Sequence, residues 1–277
     1  MEDTLIGKEQ VLKEILRGLG SSVVAFSGGV DSAYLAVATA GVLGRSSLAV
    51  TAESPSYPAW QKEVAIRVAR QFGLRHEFIR SRELEDPDYA RNPVNRCYFC
   101  KQELYGRLEA LRESRGYRHV IDGNNFDDTA DYRPGRAAGA GFSVRSPLIE
   151  AGLGKDEIRA LSARAGLPTW DLPASPCLSS RIPYGQAVTW EKLRVIERAE
   201  DLLRGMGFPR SRVRHHGDIA RIEIAKEDFG AFLRPEIFDQ AASGLRTLGF
   251  RYVTLDLEGY RTGRLNETLH QIGEVQG

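Results

Sequence analysis

The sequence predicts an α/β protein with a doubly wound parallel sheet, followed by a smaller C-terminal α+β domain. Three observations carry this. A short apolar, β-branched run, Ser22-Val23-Val24-Ala25-Phe26, enters a glycine turn, Ser27-Gly28-Gly29, and leaves it as a stretch of good helix formers through Ala40. Strand-like and helix-like runs then alternate as far as Gly166, the pattern of a parallel sheet with crossover helices. After residue 189 the order changes to strands, then helices, then a strand, which marks a separate α+β unit.

Taken in order, residues 8–19 place Val11, Leu12, Ile15, Leu16 and Leu19 at helical spacing, and Gly20 ends the helix. The first strand and the glycine turn follow. Leu48–Ala52 reads as a second strand, Ala59–Phe72 as an amphipathic helix closed by Gly73, and Arg75–Ile79 as a third strand. An irregular acidic stretch, 83–88, leads to Asn92-Pro93-Val94-Asn95-Arg96-Cys97-Tyr98-Phe99-Cys100-Lys101. Helix resumes over 101–114, and His119-Val120-Ile121 runs into Asp122-Gly123-Asn124-Asn125-Phe126-Asp127-Asp128. Pro147-Leu148-Ile149 reads as extended, ahead of a helix from Lys155 to Gly166. The nucleotide-binding domain is thus expected over 1–168. A Pro-, Ser- and Gly-rich loop over 169–188 has no periodicity, and a loop of that length is usually functional. In the domain over 189–277, Thr189 caps a helix to Gly205, strands fall near 211–216 and 218–225, helices near 227–233 and 235–248, and a strand at Arg251–Leu257.

The bulk numbers exclude several classes. With 42% hydrophobic and 27% charged residues among 277, the chain has the composition of a globular protein with room for a core. A net charge of +1 gives no overall attraction for nucleic acid. No run approaches a membrane span, and the acidic start leads into an amphipathic helix rather than a signal peptide, so a cytoplasmic protein is expected. Three cysteines, an odd number, argue against a disulfide framework and for metal or redox chemistry.

The glycine turn has the chemistry of a phosphate site. Gly28 and Gly29 let backbone approach a ligand, Ser27 and Ser32 add hydroxyls, and the next helix presents unpaired N–H groups at a positive end. Asp31 can hold a magnesium ion that bridges phosphates. There is no G-x-x-x-x-G-K-[ST], and the motif brings no lysine toward a γ-phosphate. Thr51 and Ala52, at the end of the second strand, can meet adenine through backbone, with Glu53 on the same edge. The stretch resembles the SGGxDS signature of the PP-loop ATP pyrophosphatases, which grip the β- and γ-phosphates and cleave ATP between α and β. Asp122–Asp128 resembles their second signature, which places ATP and magnesium; Asp127 and Asp128 suit a magnesium-bound water, or else a helix N-cap. The expected ATP and Mg2+ set is Ala25, Ser27, Gly28, Gly29, Asp31, Ser32, Ala52, Gly123 and Asp128, with Arg133 as a further phosphate contact.

Cys97-x-x-Cys100 and Cys177 admit three readings: a lone nucleophile or sulfur donor at Cys177, a zinc site with a fourth ligand, or a 4Fe–4S cluster with one iron not ligated by protein. Arg210, Arg212 and Arg214 alternate, so on a strand they share one face and call for an anion or for carboxylates. Arg221 and Glu223 alternate likewise in Ala220–Ile224. His215 and His216 are weaker metal candidates, and Arg261 and Arg264 weaker anion candidates.

Around these residues the resemblance narrows. Asn95–Lys101, Asp131-Tyr132-Arg133-Pro134-Gly135, Pro173–Gly185 and Thr254–Gly263 are similar to the LarE-type ATP-dependent sulfur transferases, and the likeness covers nearly the whole chain. It implies adenylylation of a carboxylate of pyridinium-3,5-biscarboxylic acid mononucleotide, and displacement of AMP by sulfur, in the biosynthesis of a nickel-pincer nucleotide cofactor. With three cysteines, it implies a 4Fe–4S cluster on Cys97, Cys100 and Cys177; the alternative is sacrifice of the Cys177 sulfur. It also implies catalytic roles for Cys177, Glu200 and Glu223, the two glutamates near a divalent metal. Phosphate or substrate contacts would come from Arg212 and Arg214, with Arg181 a further cofactor-binding residue, in a ring-like homo-oligomer, a hexamer. A PP-loop tRNA thiolase, an amidotransferase-like synthetase and a nucleotide- or metal-sensing protein without turnover are the competing functions.

Overall fold

A computed structural model describes residues 2–129, 139, 141–173 and 175–261. Arg133 and its neighbours, and Arg264, lie outside the described residues. The chain divides into two compact units, Met1–Tyr89 with Val94–Leu172, and Ala90–Pro93 with Pro173–Gly277.

In the first unit the order is α1 (Glu2–Leu19), β1 (Ser22–Ala25), α2 (Val30–Leu43), β2 (Ser47–Glu53), α3 (Ala59–Gln71), β3 (His76–Arg80), α4 (Arg96–Arg115), β4 (His119–Ile121) and α5 (Lys155–Arg164). The strands form a parallel sheet in the order β3-β2-β1-β4. Successive side chains on a strand point to opposite faces, and each face has its own core. Val24 packs with Leu12 and Leu16 of α1, Ala33 and Leu35 of α2, Val68 of α3 and Ile158 of α5. Val23 packs the other way, with Leu48, Val50 and Val120 of the sheet and Tyr105 and Leu108 of α4. The sheet is therefore doubly wound, as its sequence pattern predicts. Each fully buried aliphatic side chain contributes roughly 1.5–3 kcal/mol.

Strand order makes the site. From β1 the chain moves outward to β2 and β3, then returns to β4 on the other side, so β1 and β4 flank a topological switch point. The loops after these two strands meet there. A Cβ on Gly123 would lie 2.9 Å from both Cα and N of Ser32. Gly28 has φ +73°, and a Cβ there would lie 3.1 Å from backbone atoms of Gln61 and Ala65.

Two local expectations change. The fourth long helix begins at Arg96, so Cys97 and Cys100 lie within its first two turns rather than ahead of it. Pro147–Glu150 is a helical turn, not an extended segment: Pro147 sits at the first helical position, and Arg145 instead makes the parallel bridge to Ile121.

In the second unit, α6 (Trp190–Gly205), β5 (Arg212–His216), β6 (Ile219–Glu223), α7 (Pro235–Thr247) and β7 (Tyr252–Leu255) form a sheet in the order β5-β6-β7 with both helices on one face. Val213, Ala220 and Ile222 meet Ala199, Leu203, Ala241 and Leu245 in the core. Arg212, Arg214, Arg221 and Glu223 point the other way, with Arg212 opposite Glu223 and Arg214 opposite Arg221. Residues 90–93 belong here because Asn92, buried at φ +57°, donates to the carbonyls of Pro183 and Gln186 at 2.7 and 3.0 Å.

Two predictions follow from this packing. Gly123→Ala forces backbone apart at the switch point and lowers unfolding free energy by about 1–3 kcal/mol, measured by urea denaturation; an unchanged midpoint contradicts the close approach. His76, His119, His215 and His216 all have pKa values lowered, first by burial. The unfolded chain therefore takes up protons below about pH 6.5 before the folded one does, so stability present above that pH is lost as pH falls toward 5. A flat urea midpoint between pH 7 and pH 5 contradicts this.

Candidate functional site

The phosphate loop is shaped by its own side chains. Ser32 Oγ donates to the Gly29 carbonyl at 3.1 Å, so it accepts from the Ser27 hydroxyl at 3.0 Å and from the Ser27 N–H at 3.2 Å. The Ser27 carbonyl accepts from Tyr57 Oη at 2.8 Å and Gln61 Nε2 at 2.9 Å, which braces the loop against α3. One residue back, the Phe26 carbonyl accepts from Thr51 Oγ1 at 2.6 Å. That uses the Thr51 proton, so His76 Nε2, 2.8 Å from the same oxygen, is the donor and carries hydrogen. Ala25 ends β1 opposite Val50, and Ala52 lies half-buried near the end of β2, both on the carboxyl edge of the sheet.

Asp31 stands in the first turn of α2. Its Oδ2 accepts from Lys155 Nζ at 2.6 Å, while its Oδ1 is buried with no hydrogen-bond partner among the described residues. An orphaned carboxylate oxygen at a phosphate loop fits a magnesium ion that arrives with phosphate. The second loop is tied down more fully. Asp127 Oδ2 accepts the Lys155 N–H at 2.7 Å and so caps α5, and buried Asp128 accepts the Asn125 N–H at 3.0 Å. Asp122 accepts from Ser146 Oγ at 2.7 Å and from Tyr105 Oη. Tyr105 in turn accepts from Lys101 at 2.8 Å, one residue after Cys100. Burial first, and Asp122 with it, pushes Tyr105 up to about 12. Cys97 and Cys100, three residues apart on α4, share a helix face; Cys97 is exposed, Cys100 partly buried, and neither forms a disulfide.

The second unit carries the remaining residues. Cys177 is a partly buried free thiol just before a 3-10 turn, Leu178–Arg181. Arg181 is 1% exposed, and each of its three nitrogens donates. Nε and Nη2 bind both oxygens of Glu200 at 2.8 and 3.0 Å, and Nη1 reaches the carbonyls of Pro176 and Cys177 at 2.6 and 3.0 Å and Ser180 Oγ at 2.9 Å. Arg214 repeats the arrangement: Nε and Nη2 bind Glu223 at 3.0 and 2.8 Å, and Nη1 donates to the Ser180 carbonyl at 2.8 Å. Two buried arginine–glutamate pairs thus grip the turn that follows Cys177 from both sides of Ser180. Burial alone would raise the Glu200 pKa, but Arg181 and its hydrogen bonds hold it below the ordinary carboxylate value.

Arg212 lies over the Tyr260 ring, 5.0 Å from its centre, and burial, then Arg181, lower its pKa. Arg181, Arg212 and Arg214 are buried beside two buried carboxylates, Glu200 and Glu223. Arg221 pairs with Asp256 at 3.6 Å. The three-arginine face expected from the sequence is therefore modified. Arg210 precedes the strand, is exposed and pairs with Glu227 at 2.8 Å, while Arg221 joins from the neighbouring strand. Among the described residues no three His, Cys, Asp or Glu side chains converge to hold a metal. Tyr57, Gln61, His76 and Lys155 were not expected at the phosphate site, since each reaches it from a distant element without a local motif.

No family model matches the chain. The parallel sheet and its phosphate loop define an enzyme of PP-loop architecture, and the chain is 28% identical over 71% of its length to a glutamine-hydrolyzing GMP synthase of Aeropyrum pernix, spanning 41% of that protein. It is 44% identical to an uncharacterized protein of Synechocystis sp., with 96% of this chain and 99% of the relative aligned. It is 39% identical to the pyridinium-3,5-bisthiocarboxylic acid mononucleotide synthase of Lactiplantibacillus plantarum, over 96% of each. The chain belongs to that synthase family, the LarE-type enzymes.

Removing one partner of a buried ion pair leaves a bare charge. Glu200→Ala is therefore expected to cost about 3–5 kcal/mol in urea denaturation, and Arg181→Met combined with Glu200→Leu markedly less than the two single changes added. Additive losses contradict a direct pair.

Proposed function

We propose that this enzyme is an ATP-dependent sulfur transferase that converts carboxylates of pyridinium-3,5-biscarboxylic acid mononucleotide to thiocarboxylates. The observation that carries the reading is the phosphate loop at the switch point, in a chain that aligns end to end with a synthase whose name states the bisthiocarboxylic product. The loop N–H groups and the α2 N-terminus hold the β- and γ-phosphates, and Asp31 Oδ1 offers an oxygen to Mg2+. A substrate carboxylate oxygen attacks the α-phosphorus. The bond to the bridging oxygen breaks, and its electron pair leaves with pyrophosphate. Sulfur then attacks the activated carbonyl carbon and AMP departs with the C–O electron pair. Arg212, a buried guanidinium, suits the anionic substrate, while Arg181, Arg214, Glu200 and Glu223 fix the Cys177 turn.

The cysteines match a 4Fe–4S cluster in number and in the spacing of the pair, with Cys97, Cys100 and Cys177 as its holders; when bound, such a cluster supplies transferable sulfide. In the sacrificial alternative, Cys177 sulfur itself displaces AMP to form a thioester. Loss of the Cys177 α-proton then breaks Cβ–S and leaves dehydroalanine. In this reading the protein is a cytoplasmic homo-oligomer; no helix among the described residues is long and apolar enough to cross a membrane.

The test measures pyrophosphate from ATP and Mg2+ with and without the dicarboxylate mononucleotide, using protein reconstituted anaerobically with iron and sulfide. Substrate-dependent release, with a cluster absorption band lost in Cys97→Ala, supports the cluster route. A protein that holds no iron yet loses the elements of hydrogen sulfide from Cys177, by mass spectrometry, supports sacrifice. Pyrophosphate release indifferent to the substrate contradicts the reading.

A further inference from the structure

A peptide plane turns over when ψ of the residue before it and φ of the residue after it change together, and glycine accepts either sign of φ. Gly28, at φ +73°, follows the Ser27–Gly28 plane of the phosphate loop. Ser32 holds the loop on both sides of that plane, through the Ser27 N–H and hydroxyl at 3.2 and 3.0 Å and the Gly29 carbonyl at 3.1 Å. None of these bonds involves the Ser27 carbonyl or the Gly28 N–H. As far as the motif is concerned, the plane can face either way.

The selection comes from α3 and the turn before it. Tyr57 Oη and Gln61 Nε2 donate to the Ser27 carbonyl at 2.8 and 2.9 Å and fill both of its acceptor sites. Both donors have fixed bases: the Tyr57 N–H bonds the Ser54 carbonyl at 3.1 Å, and the Gln61 N–H bonds the Pro58 carbonyl at 3.0 Å. In a trans peptide the carbonyl and the N–H of one plane point in opposite directions. With the Ser27 carbonyl tied to α3, the Gly28 N–H faces away from it. Gly28 is buried, and its N–H makes no hydrogen bond among the described residues. A buried N–H is costly until something accepts it, and an anionic oxygen is the acceptor that such a loop takes. Turned over, the same plane would offer a carbonyl oxygen to the phosphates and repel them.

We propose that Tyr57 and Gln61 are positioning residues for the phosphates of ATP: together they keep the Gly28 N–H, rather than the Ser27 carbonyl, facing the β- and γ-phosphates. This rests on the ATP reading above. Each acts through one peptide plane, from an element outside the motif.

The sequence lets that plane be watched. Ser27-Gly28 and Ser243-Gly244 are the two Ser-Gly pairs of the chain. A deuterated full chain carrying heavy carbon at its serine carbonyls and heavy nitrogen at its glycines therefore gives two carbonyl-to-amide NMR correlations, and Ser243→Ala assigns them. With inorganic pyrophosphate and Mg2+, the Gly28 amide proton is expected to move downfield in the wild type and not in the double variant Tyr57→Phe with Gln61→Met, while the Gly244 signal stays in place in both. One remaining donor still outweighs the turned plane. By calorimetric titration each single variant is thus expected to bind pyrophosphate within about threefold of the wild type, and the double variant about 10-fold more weakly, with AMP held within about twofold. A wild-type Gly28 amide that does not respond to bound pyrophosphate overturns the proposal. So does a double variant that binds pyrophosphate as tightly as the wild type, or one that loses AMP in step, which marks a merely structural brace. If the double variant does not fold, the wild-type NMR response and Gln61→Glu, which sets an acceptor against the Ser27 carbonyl, carry the same comparison. A wild-type chain that binds neither ATP nor pyrophosphate overturns the ATP reading itself, and this proposal with it.

Discussion

At the switch point of the first unit, two backbones come closer than any side chain allows. Gly123, after β4, lies against the first turn of α2, and Gly28, after β1, lies against α3. Everything at the candidate nucleotide site depends on these two approaches. They turn the Ser27–Ser32 loop so that its hydroxyls bond one another, and they carry the Asp122–Asp128 loop to the same edge. Tyr57 and Gln61 then bond the Ser27 carbonyl and Thr51 the Phe26 carbonyl, with His76 holding the Thr51 hydroxyl, so the loop is braced from α3 and the neighbouring strands. A site preorganised in this way does not have to spend ligand affinity on ordering itself.

The second unit solves a different problem, how to fix the turn that follows Cys177. Its sheet buries one face under α6 and α7 and gives the other to charge. Arg181 and Arg214 are fully engaged with glutamates and with the backbone around Ser180, which makes them positioning groups. Buried pairs of this kind add little net stability, but they are costly to break and they fix geometry.

Local patterns made the fold readable. β1, the glycine turn and α2 are contiguous, and period-2 or helical spacing fixed the doubly wound sheet and the α+β order of the second unit. The site was readable only where it is contiguous too. Ser27, Gly28, Asp31, Ser32 and Gly123 stand where their motifs put them. Lys155, Tyr57 and Gln61 reach Asp31 and Ser27 across long sequence separations, which no local spacing encodes. Arg210 was misassigned because alternation alone cannot show where a strand starts, and β5 begins two residues later. The helix of Cys97 and Cys100 begins at Arg96, earlier than the expected start at residue 101. Asp127 and Asp128 suited a metal by composition, and hydrogen bonding shows both engaged at helix and turn N–H groups.

In the proposed reaction ATP activates a carboxylate by transfer of its AMP portion. The most direct measurement gives the enzyme the dicarboxylate mononucleotide labelled with heavy oxygen in its carboxylates, and follows the label by mass spectrometry. One labelled oxygen in the phosphate of the released AMP, with unlabelled pyrophosphate, is the predicted result, because the attacking carboxylate oxygen leaves with AMP. Unlabelled AMP, or ADP as the product, contradicts it.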